Sequence, residues 1–518
     1  MYLTQSLRRA TQQSPHATAS IYRERKRSFA QLSDRVSRFA GALHALGVQA
    51  GDRVGILSLN SDWYLEYYMA CYWAGAAVNP INIRWSATEI AYSLDDCQTH
   101  VLLVDDTFLP LIPEIKKLSS ALKTLIHLGD GASPQDMLSY EALVAKAAPV
   151  EDAMRSGNDL AGVFYTGGTT GSPKGVMLSH GNLYTNSILG VAEGTVRRGS
   201  IGLHAAPMFH LADGAFMNAL FAAGCCHVML PRFDPVGVLQ AIAAHGITDM
   251  LLVPTMIQML VDHPDIHQYD LSSLQQMLYG ASPISEGLLD RAMKAIPHAG
   301  FIQAYGMTEL SPVATILKPE MHREKGRAKG WHRSAGRATV CTEVRVVDPE
   351  GNELPRGEVG EVVVRGPGVM LGYWNKPSET AAAIRDGWMH TGDGGRMDED
   401  GYVFIVDRLK DMIVTGGENV YSVEVESVIT THPAVASCAV IGIPSEQWGE
   451  LVHTFIVRKP GAALEAEELI AFCKERIGSY KCPRGVSFID AMPLSGAGKI
   501  LKTVLRAPFW ENHQRKVA

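Results

Sequence analysis

The chain predicts an α/β fold with a large N-terminal domain of several subdomains, one of them β, followed by a small C-terminal α+β domain. Three observations carry this. First, short apolar runs alternate with helix-spaced segments as far as the run Phe301-Ile-Gln-Ala-Tyr305. That alternation is the pattern of a parallel sheet with helices on both faces. Second, from 335 to 365 the pattern turns to short alternating strands with turns such as Asp348-Pro-Glu-Gly351. Third, the run Tyr402-Val-Phe-Ile-Val-Asp-Arg-Leu-Lys-Asp411 reads as the exit from the large domain, and a second set of strands and helices begins beyond it. A chain of 518 residues is long enough for more than one core.

Leu32, Val36, Phe39, Leu43 and Leu46 recur at helical spacing, closed by Gly47 as a C-cap. A buried-type strand at 52–58 follows, then a helix over 63–73 and a short strand at 76–79. Ser86, with Glu89 three residues on, predicts the capped start of a helix over 87–95, and 100–104 is strand again. Strands are expected at 200–204, 227–230 and 249–253, and helices over 236–245 and 255–262. The runs 277–283 and 301–309 each pass from a strand into a polar loop, the kind of place where open α/β sheets form a ligand crevice. In the last part, Val423, Val425, Val428 and Ile429 suit a helix, 438–443 and 453–457 suit strands, and 465–477 suits a second helix.

The formal net charge of −7 is spread without long blocks, so neither nucleic acid nor an anionic membrane is an expected partner. The eight cysteines include the adjacent Cys225-Cys226 but no C-x-x-C pair, which favours free thiols in a reducing compartment. The N-terminal stretch is polar and lacks a signal peptide's apolar core. The apolar run 69–78 is too short to span a bilayer. A cytoplasmic protein without an integral membrane segment is expected.

The densest chemical signal is Tyr165-Thr-Gly-Gly-Thr-Thr-Gly-Ser-Pro-Lys-Gly-Val-Met-Leu-Ser-His180, directly after the apolar run 160–165. A strand feeding such a turn wraps backbone N–H groups and Thr hydroxyls around phosphate oxygens, and Lys174 adds positive charge. It is not a Walker loop. Counting from Gly168, Pro173 stands where that loop needs its second glycine, and Lys174 is followed by Gly175 where Ser or Thr would hold magnesium. Composition and spacing alone reach no further than a site for a nucleotide phosphate with magnesium.

The segment 166–175 resembles the signature loop of the adenylate-forming superfamily of acyl-CoA synthetases, peptide-synthetase adenylation domains and luciferases. Gly167 replaces a usual Ser. Four further motifs follow in the family's order, so the resemblance spans nearly the whole chain, from about Phe29 to Arg506. It implies an enzyme that joins a carboxylic acid to CoA with ATP and Mg²⁺ as an acid–thiol ligase. Thr166, Gly168, Thr169, Thr170, Gly171 and Lys174 would hold ATP phosphates, with Thr169 also toward the metal. In Tyr305-Gly-Met-Thr-Glu309, the resemblance sets Tyr305 against adenine, Thr308 on the α-phosphate and Glu309 on Mg²⁺. Gly280, Ala281 and Ser282 would cover the other adenine face. Thr391-Gly-Asp393 gives Asp393 the ribose hydroxyls, and Arg408 is a second nucleotide contact.

Lys410 matches the family's hinge, dividing the chain into 1–409, which binds ATP and the acyl group, and a mobile 410–518. Gly416 and Gly417 would approach the thiol-bearing arm of CoA. Trp448 and Tyr480-Lys481 lie where relatives contact its nucleotide. Pro493-Leu-Ser-Gly-Ala-Gly-Lys499 makes Lys499 the catalytic lysine, with Ala497 where Thr is common. For the acid, Phe209, His210, Met217, Ala304 and Val313 fall near the acyl pocket by resemblance, with His210 as an aromatic gate. No Asp or Lys stands at these positions, which favours an apolar acid. A fatty acid is favoured, and aryl acids of benzoate or cinnamate type stay open. No carrier domain follows Lys499, which favours CoA over a carrier protein, though the latter stays open. A luciferase-like oxidase and a non-enzymatic nucleotide binder are the other classes considered, and self-association as a homodimer is left open.

Overall fold

The computed structural model describes residues 1–166, 173–496 and 498–511. These residues form four sheets. One sheet of eight strands runs Gly372–Tyr373, Lys174–Ser179, Leu160–Thr166, Ala77–Pro80, Arg53–Leu57, Val101–Asp105, Thr124–Leu128, Leu138–Ser139. It is parallel from Leu160–Thr166 onward and antiparallel at the other edge. A second sheet of nine strands runs from Arg337–Ala338 through Val313–Leu317, Gly300–Gly306, Gln276–Gly280, Asp249–Leu252, Ile201–His204, Cys226–Met229 and Thr18–Tyr22 to Arg25–Ser28. Its six central strands are parallel and its edges antiparallel. The expected α/β fold is therefore present, with two large sheets rather than one and antiparallel strands at their edges.

Between the two sheets lies the helix Asp62–Ala74, in which every residue is buried. Its aromatic side chains touch both sides. The Tyr67 hydroxyl donates to the Val54 carbonyl at 2.6 Å and accepts the Asn79 N–H at 3.0 Å, both from the eight-stranded sheet. The Tyr68 hydroxyl donates to Met208 O, beyond a strand of the other sheet, at 2.9 Å. Buried hydroxyls gain by finding partners, and these two sets of bonds fix the helix's rotation and height. Its acidic residues are met from outside: Glu66 pairs with Arg35 at 2.8 Å and accepts the Tyr140 hydroxyl at 2.8 Å.

Local signals act as the sequence predicts. Ser86 and Glu89 form the reciprocal capping bonds of the helix Ala87–Asp96, and Ser28 with Gln31 does the same for Phe29–Ala45. The helix Leu211–Ala223, in contrast, lies outside the elements read from sequence. All but one of its residues are buried, so it lacks the polar stripe that gives a surface helix its period.

The β subdomain is an antiparallel sheet of Glu343–Val347, Gly360–Arg365, Trp388–Met397 and Ile384–Arg385, with Val403–Arg408 paired to Trp388–Met397. The small C-terminal domain carries the fourth sheet, in which Ile413–Thr415, Glu418–Val420, Val435–Ser445, Gly449–Arg458 and Gly485–Phe488 surround a core with the helices Ser422–Ile429 and Ala466–Lys474. No helix among the described residues is long and apolar enough to cross a membrane. All eight cysteines are free.

Candidate active site

Two neighbouring parallel strands set up the first part of the site. Gln276–Gly280 and Gly300–Gly306 pair with Gly280 opposite Ala304, so Gly280, Ala281 and Ser282 leave the sheet beside Tyr305. A Cβ on Gly280 would lie 2.2 Å from the Ala304 carbonyl oxygen. The glycine is thus required by the adjoining strand itself, before any ligand is considered. Ala281 follows with φ of +66°, an uncommon left-handed conformation for a residue with a side chain. Past Tyr305 the chain tightens into the short turn Thr308–Leu310, which buries Glu309. Burial raises the Glu309 carboxyl pKa, and the Tyr373 hydroxyl donates to its Oε1 at 2.9 Å.

The β subdomain supplies the second part. Register places Asp393 directly opposite Arg408 on the paired strands Trp388–Met397 and Val403–Arg408. Arg408 Nε meets Asp393 Oδ1 at 2.7 Å, while the Tyr305 hydroxyl donates to Asp393 Oδ2 at 2.8 Å. The turn carrying Asp393 is itself braced: Thr391 Oγ1 accepts the Asp393 N–H, and Glu361 accepts the Gly392 N–H. Burial alone would lower the Arg408 guanidinium pKa. Asp393, with Tyr305 and Glu309 behind it, more than reverses this and holds the cation charged.

The third part comes from the far end of the chain. Ser495, Gly496, Gly498 and Lys499 lie in a tight turn in which the Ser495 N–H donates to Lys499 O at 2.7 Å and Ser495 Oγ accepts the Lys499 N–H at 3.1 Å. The turn presents the Lys499 ammonium to the two parts already assembled. Burial, then the positive charge of Arg408, pushes its pKa down to about 8, against the pull of Asp393 and Glu309. Lys499 is also within electrostatic reach of His210, which stands just before the helix Leu211–Ala223 and makes no side-chain capping bond to it. Burial, with Lys499 and Arg84 nearby, takes the His210 imidazole to about 3, so it is neutral at ordinary pH.

The structure therefore brings Tyr305, Glu309, Asp393, Arg408, His210 and Lys499 into one electrostatic neighbourhood, with Gly280, Ala281, Ser282 and Thr308 on the same strand ends. Lys174 opens the strand Lys174–Ser179, its ammonium 5.1 Å from the centre of the Tyr373 ring, and Thr166 Oγ1 reaches Lys174 O at 3.5 Å. Gly168, Thr169, Thr170 and Gly171 lie outside the described residues. Lys410 adjoins the cluster, its pKa lowered by burial and by Arg408.

Gly416, Gly417 and Trp448 form a separate group. The two glycines, with φ of +60° and +87°, make the exposed turn between Ile413–Thr415 and Glu418–Val420. The Gly416 N–H donates to Trp448 O at 2.8 Å, and Trp448 is 44% exposed. Cys482 is buried in the C-terminal core. Tyr373 and Arg84 were absent from the sequence reading. The run Gly372-Tyr-Trp-Asn-Lys-Pro377, two aromatics set among turn-forming residues, was the available signal for Tyr373.

The AMP-binding enzyme family model matches residues 7–374, and that of the AMP-binding enzyme C-terminal domain matches residues 424–499. The chain belongs to this family. Within it the protein is an acyl-CoA synthetase of the adenylate-forming superfamily, working with ATP, Mg²⁺ and CoA. It is similar to a feruloyl-CoA synthase of an Amycolatopsis species, at 39% identity over 97% of this chain and 98% of the relative. It is also similar to a fatty acid–[acyl-carrier-protein] ligase of Streptomyces coeruleorubidus, at 36% identity over 98% of this chain and 96% of the relative. Among solved structures, the anthranilate CoA ligase AuaEII in complex with anthranoyl-AMP superposes with a TM-score of 0.91, at 29% identity, covering 98% of this chain and 97% of that one.

The residues present fit the family's metal. Mg²⁺ keeps few protein ligands, usually one or two carboxylates together with substrate phosphates. Among the described residues no cluster of three or more acidic, His or Cys side chains is built to cage a metal by itself. Glu309, a buried carboxylate in a desolvated setting, suits a cation that arrives with the nucleotide.

Proposed function

We propose that this synthetase activates an apolar carboxylic acid, a fatty acid in the favoured case, through two half-reactions at one site. In the first, ATP lies with its adenine between Tyr305 and the segment Gly280-Ala281-Ser282. Its ribose hydroxyls replace the Tyr305 and Arg408 contacts on Asp393. Its phosphates meet Thr308, Arg408, Lys174 and the loop 166–171. Glu309 and Thr169 would hold Mg²⁺, which neutralises phosphate charge when bound. The substrate carboxylate attacks the α-phosphorus, a P–O bond forms, and the bond to pyrophosphate breaks. Lys499 draws the two anions together and offsets the charge that grows on the transferring group.

In the second half-reaction the C-terminal domain, 410–518, turns about Lys410. Lys499 withdraws, and Gly416, Gly417 and Trp448 take its place toward the arm and nucleotide of CoA. The CoA thiol attacks the acyl carbonyl, losing its proton as the thioester forms, and AMP leaves. The observation that carries this reading is Lys499, which reaches from a C-terminal turn into the charges of Glu309, Asp393 and Arg408. The exposed position of Gly416, Gly417 and Trp448 in the same arrangement supports the division of labour.

For the acid, Phe209 and Met217 are buried and Ala304 and Val313 partly so, and the Phe209 ring packs against a neutral His210. This lining suits an apolar chain or ring and offers no fixed charge to an amino or second carboxyl group. The similarity to a feruloyl-CoA synthase favours a second reading, an aryl acid. The similarity to a ligase for acyl-carrier protein favours carrier protein as an alternative acceptor. Pyrophosphate release across fatty, aryl and amino acids, with and without CoA, tests both points. CoA-dependent turnover on one apolar class is expected. Pyrophosphate exchange without CoA turnover would move the acceptor to a carrier protein, and turnover on amino acids alone would overturn the apolar assignment.

A further inference from the structure

The turn that carries Lys499 does not rest only on the nucleotide site; it is seated in a cradle on the large domain. Arg84, in the loop between the strand Ala77–Pro80 and the helix Ala87–Asp96, donates from Nη1 to the Ser495 carbonyl at 2.8 Å. That carbonyl also accepts the Gly498 N–H at 2.9 Å, which closes the turn. Two residues before Arg84, the Asn82 side chain accepts the Arg84 N–H at 3.0 Å, which stiffens the loop. Asn82 also lies against Gly496 so closely that a Cβ there would come within 2.7 Å of its Oδ1. On the far side, Gly498, with φ of +76°, faces Thr255 and Val253, where an added Cβ would come within 3.2 Å of Thr255 Oγ1. Three contacts, from Arg84, Asn82 and the segment 253–255, thus hold one small turn.

We propose that Arg84 is a positioning residue for the first half-reaction, and that Asn82 and Arg84 form a dock that holds the Lys499 turn in place. The proposal rests on the two-step reading above. The physical argument is one of cost. A lysine on a swinging domain acts only for the fraction of time that its turn is seated, and every unfavourable step in seating lowers the rate in proportion. A charged donor aimed at a turn carbonyl, beside a glycine that permits backbone-close contact, raises that fraction without touching substrate. In the two-step reading both contacts break when Lys499 withdraws, so the dock acts on the first half-reaction alone.

The test compares Arg84→Ala, Arg84→Lys and Gly496→Val with the parent enzyme in two assays. These are acid-dependent pyrophosphate exchange, and thioester formation from supplied acyl-AMP and CoA. Arg84→Ala is expected to slow the exchange by about fivefold to tenfold at unchanged KM for the acid, the loss of one charge-assisted hydrogen bond at a partly wet site. Arg84→Lys, which keeps a donor, restores most of it, and Gly496→Val loses more. Thioester formation from acyl-AMP stays within twofold of the parent for all three. Equal losses in both assays, or an unaltered exchange rate in Gly496→Val, would overturn the proposal.

A second measurement reads docking without chemistry. In an Asn82→Cys, Gly496→Cys pair, the yield of oxidised cross-link, followed by peptide mass, should fall severalfold when Arg84→Ala is added. A yield that ignores Arg84 would also overturn the dock. A parent enzyme that exchanges pyrophosphate with no acid would instead defeat the functional reading, while the cross-link still reports on the dock.

Discussion

Lys499 is pressed in two directions. Removal from water and the nearby Arg408 favour its neutral form, while Asp393 and Glu309 favour the ammonium, and the balance leaves it near 8. A lysine with a lowered pKa is charged below that value and loses its charge as the pH rises through it. The first half-reaction is proposed to need the charge, so kcat/KM for ATP should be flat from neutrality and fall above about pH 8. Bound phosphates raise the lysine's pKa, which shifts the corresponding fall in kcat to higher pH. Lys499→Arg, charged throughout, should show no such fall, and a pH–rate series on both forms checks it. His210 behaves oppositely. Its burial holds the ring neutral, so no change in rate near pH 6.5 should trace to it, and His210→Phe should leave the acidic side of the profile in place.

Glu309 is held on one oxygen by Tyr373. Removing that hydroxyl in Tyr373→Phe takes a donor from a carboxylate that needs its orientation kept. The Mg²⁺ concentration for half-maximal pyrophosphate release should rise about tenfold, the worth of one hydrogen bond to a charged group, with little change in KM for the acid. A titration of rate against Mg²⁺ reads this directly.

Among the elements, the buried helix Asp62–Ala74 makes the sharpest stability prediction. Tyr67 both donates to Val54 O and accepts the Asn79 N–H, beside the ladder that pairs Val54 with Val78 and Gly55 with Asn79, so Tyr67→Phe removes a buried bridging hydroxyl and leaves the two backbone groups to each other. A loss of about 0.5–1.5 kcal/mol in unfolding free energy is expected, measured by denaturant titration. Gly280→Ala is expected to cost more than its one methyl suggests, because that methyl meets a carbonyl of the next strand. The outcome also explains why some elements were legible and others not. Ser86 with Glu89 announced a helix start in its own sequence, since both partners of the capping bond lie within one turn. The helix Leu211–Ala223 had no such mark, as burial on nearly every side erases the polar face that gives a helix its period. Which strand pairs with which was also hidden. Central strands are apolar on both faces, and their partners come from distant parts of the chain, as with Thr18–Tyr22 beside Cys226–Met229.

At the scale of the whole molecule, the candidate site is a meeting of three distant stretches, and motif order made the participants readable without making their arrangement so. Tyr305, Asp393, Arg408 and Lys499 were each legible in their own motifs. That Tyr305 bonds to Asp393, that Tyr373 holds Glu309, and that Arg84 reaches Ser495 are facts of assembly that no local pattern encodes. The last helix, Lys502–Trp510, ties the Lys499 turn to its domain. Lys502 pairs with Glu426 at 2.7 Å, and Arg506 pairs with Asp411, the residue next to the proposed hinge, at 2.8 Å. A rotation about Lys410 would therefore carry Lys499 with the C-terminal domain as one piece.

The central claim is that Lys499 serves the first half-reaction and is absent from the second. Lys499→Ala, assayed for acyl-AMP formation from acid and ATP and for thioester formation from supplied acyl-AMP and CoA, tests it most directly. Loss of the first activity by about a hundredfold or more, with the second largely spared, is the predicted result. Equal loss of both would contradict the account.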